Sequence, residues 1–175
     1  AYCATCDGMM FKDKDVVIVG GGNSAIADAL YLSKICHKVT LVHRRDELRA
    51  TRTYQQQLEK SDIEFVWNSQ VVEILADKHV TGIKVQNKVT NEINQIDCNG
   101  LFIAIGRVPD TEIVKGQLEL DKSGYIIADE STCTNIPGVF AIGDVRTKAL
   151  RQIVTAVSDG ATCSYYIEKY LRDKE

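Results

Sequence analysis

The sequence lacks several features that would assign it quickly to a class. No apolar run approaches the ~18 residues that a membrane-spanning helix needs. The opening residues hold no basic segment followed by an apolar stretch and a cleavage site, so no secretory leader is expected. Charge of one sign is not in excess: 21 Lys and Arg against 24 Asp and Glu leave a net charge of −3, which gives no general attraction for nucleic acid. Six cysteines in 175 residues are too few for a disulfide scaffold. A reducing cytoplasm is the expected setting, and there a close cysteine pair is more often catalytic or metal-binding than structural. Low-complexity tracts and internal repeats are absent too. The remainder, 45% hydrophobic and 26% charged, is ordinary globular composition, with length for one domain and part of another.

The apolar pattern predicts an α/β fold. After its opening Asp, Asp15-Val-Val-Ile-Val19 is β-branched and apolar throughout, as a strand buried on both faces should be. Gly20-Gly21-Gly22 follows, then an Ala- and Leu-rich helix over Asn23 to Lys34 and a strand over Lys38 to Val42. That is a strand–helix–strand unit, so the two strands should be parallel with a right-handed crossover. A second helix is expected over Leu48 to Lys60 and a third strand over Ile63 to Val66. Three segments, Gln70 to Ala76, Val80 to Gln86 and Asn91 to Asp97, read as an antiparallel meander with a turn at Asn87 and Lys88. Leu101 to Ile105 is again fully apolar and closes at Gly106. Beyond Arg107-Val-Pro109-Asp the pattern becomes irregular. Short strands are expected at Tyr125 to Ala128 and Gly138 to Ile142, and a final helix over Arg151 to Leu171. The apolar or small residues Ile153, Ala156, Val157, Gly160 and Ala161 share one face of that helix.

Three motifs carry chemistry. Gly20-x-Gly22-x-x-Ala25 has the form of a dinucleotide fingerprint, and it stands where one must stand, between a strand and a helix. Its glycines allow a pyrophosphate close to the backbone, and the helix start offers free N–H groups to it. At the end of the next strand an NAD site usually places a carboxylate for the ribose hydroxyls. Here the chain reads His43-Arg44-Arg45-Asp-Glu-Leu-Arg49. Guanidinium groups bind a 2′-phosphate that a carboxylate would repel, so NADP(H) is favoured over NAD, with a solvated basic turn as the alternative. The second motif is Cys3-Ala-Thr-Cys6, a spacing that lets two sulfurs meet in a short loop and often lowers a thiol pKa. A zinc site would need a second pair, but Cys36, Cys98, Cys133 and Cys163 are scattered singly and read as small buried hydrophobes; no metal is expected. Asp7, next in sequence, reads equally as a proton donor or a turn residue. The third motif is Gly143-Asp144 at a strand end, followed by Arg151-Gln152 at the start of a helix. Taken alone, Asp144 reads as a turn or cap residue. A nicotinamide gives up a hydride, whereas a disulfide takes two electrons with proton uptake. An NADPH site together with a cysteine pair therefore points to a flavin between them.

Taken together, Cys3-Ala-Thr-Cys6-Asp7-Gly8, Gly20-Gly-Gly-Asn-Ser-Ala25, His43-Arg-Arg-x-x-x-Arg49, Gly138-Val-Phe-Ala-Ile-Gly-Asp144-Val and Arg151-Gln152 resemble the bacterial low-molecular-weight thioredoxin reductase family. The resemblance implies a Rossmann-like three-layer NADPH-binding domain with a β-meander over residues 1–106, carrying the redox motif. Residues 107–175 would be the C-terminal portion of an FAD-binding domain whose N-terminal segment, with its own glycine fingerprint, is absent from this sequence. It implies NADP contacts from Gly20, Gly22, Asn23, Ser24, His43, Arg44, Arg45, Arg49 and Gly106, with the arginines on the 2′-phosphate. FAD contacts would come from Gly143, Asp144, Arg151, Gln152 and Ile153. Cys6 would face the flavin, Cys3 would attack the disulfide of thioredoxin, and Asp7 would exchange protons with them. The family further implies a homodimer and a rotation that presents nicotinamide and cysteines to the flavin in turn. The chain as given, without the first FAD segment, reads alternatively as an FAD-free NADP-binding piece with no activity of its own. Its parent reads alternatively as a related flavin reductase acting on another disulfide.

Overall fold

The computed structural model describes residues 1–174, which divide into two compact units, one over Ala1–Gly106 and one beginning at Arg107. In the first unit a short helix α1 (Ala4–Asp7) and a 3-10 turn (Gly8–Phe11) precede β1 (Asp15–Val19), α2 (Asn23–Leu32), β2 (Lys38–Val42), α3 (Arg52–Leu58) and β3 (Glu64–Val66). The meander β4 (Ser69–Ala76), β5 (Val80–Asn87) and β6 (Ile93–Asp97) follows, and β7 (Gly100–Ile103) closes the unit. The parallel sheet has the order β3-β2-β1-β7, and the meander is a separate antiparallel sheet, β4-β5-β6.

Alternation along β1 explains the three layers. Val16 and Ile18 face the helices and pack with Ala25, Ile26, Ala29 and Leu32 of α2. Val17 and Val19 face the other way, onto Ile83 and Val85 of the meander. A strand covered on both faces must be apolar at every position, which is why the period-2 pattern vanishes there. Burying one such Ile or Val stabilises by about 1.5–3 kcal/mol. The turn after β5 lies where expected: the Asn87 side-chain oxygen accepts from the N–H groups of Val89 and Thr90 at 2.8 and 3.1 Å, the local bonding that makes Asn a turn residue.

Some boundaries differ from the sequence reading. The second helix starts at Arg52, not Leu48. Residues 48–51 form a loop pinned to the first glycine turn: the Arg49 N–H donates to the Gly21 carbonyl at 2.8 Å, and the Thr51 N–H donates to the Asn23 side-chain oxygen at 2.8 Å. Backbone donors used in this way cannot belong to a helix at the same time.

The second unit holds a small core of Leu118, Ile126, Ala128 and Ala141 and the helix α4 (Ile153–Arg172). The expected strands at Tyr125 to Ala128 and Gly138 to Ile142 are not formed. Ile126 makes isolated bridges to Leu120 and Arg146, and Phe140 makes one to Cys133. An apolar run becomes a strand only where a ladder of partners extends it, and these runs have single bridges within the unit. Helix α4 buries Asp159 and Cys163, while Ile153, Val154 and Val157 on its apolar side are exposed. Cys133 is also exposed, and Cys36 is only half-buried, whereas Cys98 and Cys163 are buried as expected.

Candidate nucleotide cleft and redox turn

The carboxyl ends of β1, β2 and β7, the start of α2 and the first residues of β4 enclose a cleft of roughly 580 Å³. It is lined by Gly20, Gly22, Asn23, Ser24, His43, Arg44, Arg49 and Gly106. Gly22 is the N-cap of helix α2 and offers no side-chain cap, so the first N–H groups of the helix remain available to an anion. A Cβ at Gly20 would lie 2.7 Å from the Ala25 Cβ, which accounts for the Gly and the Ala of the fingerprint together. At Gly22 a Cβ would meet nothing within 4 Å; the space in front of the turn is open.

His43 is buried at the end of β2, and its Nε2 has no hydrogen-bond partner among the described residues. Burial is the main reason its pKa lies below the ordinary histidine value. Arg49, Arg44 and Arg45 push the same way, and a hydrogen bond with the Glu47 backbone opposes them. An orphaned buried nitrogen, an uncapped helix start and two cleft-lining arginines with no lining carboxylate are what a phosphorylated nucleotide would satisfy. The residues present therefore fit NADP(H). Arg45 is not among the lining residues, although the sequence groups it with Arg44 and Arg49. Sequence reasoning missed Gly21, Ser69, Gln70, Val71 and Ile105, which also line the cleft. Ser69 arrives through a non-local bond, its N–H donating to the His43 carbonyl at 2.9 Å, and no local motif announces it.

The redox turn is a separate place on the same unit. Cys3 and Cys6 are joined in a disulfide with a Cα–Cα separation of 5.3 Å. Cys3 is half-buried as the N-cap of α1 and Cys6 is exposed. The Cys6 N–H donates to the Cys3 sulfur at 3.2 Å, and Thr5 Oγ1 lies 3.3 Å from that sulfur. The turn is seated by Gly8, whose Cβ, were it present, would lie 2.9 Å from Leu32 and 3.1 Å from Tyr31. Those residues are at the far end of α2 from the glycine turn, about 15 Å along a ten-residue helix at ~1.5 Å per residue. No residue of the redox turn lines the cleft.

In the second unit, Gly143–Val145 is a 3-10 turn. The Asp144 carboxylate is about half exposed, 3.7 Å from the Arg107 guanidinium. Arg151 and Gln152 bond within their own segment. Arg151 donates to the carbonyls of Asp144 (3.2 Å) and Arg146 (3.3 Å) and lies 3.8 Å over the Tyr125 ring. Gln152 and Thr155 form a capping box at the start of α4. Both side chains thus brace the loop and helix they belong to. The Asp144 carboxylate is about half exposed and Ile153 is exposed; an acceptor for hydroxyls and an apolar side chain each fit part of a flavin nucleotide.

A cleft built on a glycine turn and a disulfide elsewhere on the same unit define a class, and the family comparison gives the same class. The pyridine nucleotide-disulphide oxidoreductase model matches residues 1–160, and the chain belongs to that family. It is similar to the thioredoxin reductases of Peptoclostridium acidaminophilum (46% identical, covering 98% of this chain and 56% of the relative) and Rickettsia prowazekii (47% identical, 97% and 56%). Among solved structures, the thioredoxin reductase of Streptococcus pyogenes superposes with a TM-score of 0.92 at 44% identity, covering 98% of this chain and 57% of that one. The chain spans a little over half the length of the curated relatives it matches. Among the described residues, no helix is long and apolar enough to cross a membrane.

Proposed function

We propose that the protein carrying this chain is an NADPH-dependent, FAD-containing thioredoxin-disulfide reductase. The observation that carries the reading is that one unit bears both the arginine-lined nucleotide cleft and an accessible disulfide, at separate places. A hydride held in the cleft cannot reach sulfur there directly, so a carrier has to connect the two. Flavin, when bound, supplies a two-electron relay between a hydride donor and a disulfide.

Within this proposal, residues 1–106 bind NADPH and carry the redox pair, and residues 107–175 contribute Gly143, Asp144, Arg151, Gln152 and Ile153 to the flavin site. Arg44 and Arg49 hold the 2′-phosphate. Reduction of the Cys3–Cys6 disulfide takes two electrons and two protons, and Asp7, next in sequence to Cys6, passes the protons. The Cys3 thiolate, favoured by the Cys6 N–H, then attacks the thioredoxin disulfide. Cys6 displaces the mixed disulfide, which returns the Cys3–Cys6 bond and releases dithiol thioredoxin. The family resemblance adds a homodimer and a cytoplasmic setting to the proposal.

The test uses the full-length protein. Cys3→Ser and Cys6→Ser variants should lose NADPH-driven thioredoxin reduction while keeping NADPH affinity. Turnover that survives either substitution overturns the reading.

A further inference from the structure

Asp159 is an acidic residue on a long helix, yet it is one of the most buried side chains of its unit, at 5% exposure. Its carboxylate collects four donors. Arg146 reaches it twice, through Nη2 at 2.7 Å and Nε at 2.8 Å. Lys148 Nζ lies at 2.7 Å, and the backbone N–H of Gly143 at 2.8 Å. The two cations are satisfied elsewhere as well: Arg146 donates to the carbonyls of Ala128, Asp129 and Thr147, and Lys148 donates to that of Thr155 at 3.1 Å. Burial of a charge is tolerable only with such complete pairing.

The fourth donor matters most. The bond to Gly143 is not needed to neutralise Asp159, but it fixes the residue directly before Asp144. Gly143 has φ +74, a left-handed conformation that glycine adopts without a steric cost. On the other side of Asp144, Arg151 holds the Asp144 carbonyl at 3.2 Å. The backbone of Asp144 is thereby gripped from both sides while its carboxylate remains about half exposed.

We infer that Asp159 is a positioning residue for the flavin site, holding the Gly143–Asp144 turn in its binding geometry before any ligand arrives. The inference rests on the reading that Asp144 contacts flavin. Pre-ordering of this kind raises affinity by removing the cost of organising the turn on binding.

The test uses the full-length holoprotein and reads FAD binding. Asp159→Asn keeps the size of the side chain but turns an amide N–H₂ toward its cations. The FAD dissociation constant should rise about tenfold, the scale expected when a hydrogen bond to a charged group is lost. The measurement is made well below the melting temperature of the variant. The visible circular dichroism of residual bound flavin should change, and NADPH affinity should stay as in wild type. An FAD affinity and flavin spectrum equal to wild type overturn the inference. Asp144→Ala separates the two readings: if it weakens FAD while Asp159→Asn does not, only the positioning role fails; if neither does, the flavin reading of Asp144 fails. Should Asp159→Asn not fold, amide exchange in the FAD-stripped wild-type protein decides. A protected Gly143 N–H supports the inference, and one that exchanges freely until FAD is added overturns it.

Discussion

The imidazole of His43 occupies the space that a side chain on Gly21 would need. The two residues meet between the ends of β1 and β2, where the turn before α2 crosses the strand end that leads into the arginine cluster. Gly21→Ala should therefore displace the His43 ring and disturb both halves of the cleft at once. Titration calorimetry should show NADPH affinity reduced at least tenfold, with a stability loss of about 1–3 kcal/mol, the usual cost of overpacking.

His43 also sets a pH dependence. Its folded pKa lies below the ordinary value, mainly through burial, while the unfolded chain should titrate near pH 6.5. Between those two values the unfolded state binds more protons, so stability rises with pH through that window, and below it the full penalty is present. Urea midpoints measured from pH 5 to 8 should increase up to about pH 6.5 and level off above it. His43→Gln should flatten that part of the curve.

The arginines are not equivalent. Arg44→Ala and Arg49→Ala should each weaken NADPH binding about tenfold to a hundredfold, since hydrogen bonds to charged groups contribute ~1.5–3 kcal/mol, and should leave NADH binding within about twofold. Arg45→Ala should have the smallest effect of the three, because Arg45 does not line the cleft. Fluorescence titration with both nucleotides distinguishes the cases; equal losses for NADH and NADPH would argue against the phosphate role.

Acid should attack the second unit through Asp159. Arg146 first, and Lys148 with the Gly143 amide after it, hold this carboxyl well below the usual carboxylate range. Its stabilising contribution is present above the unfolded value of ~3.9 and is lost as pH falls toward the folded value. Asp159→Asn should lower stability by about 3–5 kcal/mol at neutral pH, as when one partner of a buried ion pair is removed. It should also reduce the acid sensitivity seen in denaturant melts below pH 4.

What could be read from the sequence follows from where the partners of each segment lie. β1, its glycine turn, α2 and β2 were legible because continuous burial forces a continuous apolar run, and the fingerprint places strand, turn and helix in fixed order. Ser69 and Gln70 were not legible, since they reach the cleft through sheet topology and a backbone bond to His43. Gly138 to Ile142 has the composition of a buried strand, but composition cannot report whether pairing partners are present. The role of Asp159 was not legible either, since its four donors come from Arg146, Lys148 and the Gly143 backbone, 11 to 16 residues earlier in the chain. Arg151 and Gln152 stand at the start of the last helix as the sequence indicates, Gln152 as its N-cap, but the bonds of the Arg151 side chain to the Asp144 and Arg146 carbonyls depend on the path of a loop that no local motif reports.

The anchoring of the redox turn has a kinetic consequence. On one side, Ala1 donates to the Leu101 carbonyl and accepts from the Ile103 N–H, both at 2.9 Å, along the outer edge of β7; on the other, Gly8 is wedged against Tyr31 and Leu32. None of these contacts involves sulfur. Opening the Cys3–Cys6 bond therefore leaves both ends of the loop tied, and the two thiols remain close neighbours instead of drifting into a wide ensemble. In the proposed reaction, ring closure would start from a high effective concentration of one thiol around the other, so the speed of re-oxidation would be set by the packing around the cysteines as well as by the cysteines themselves.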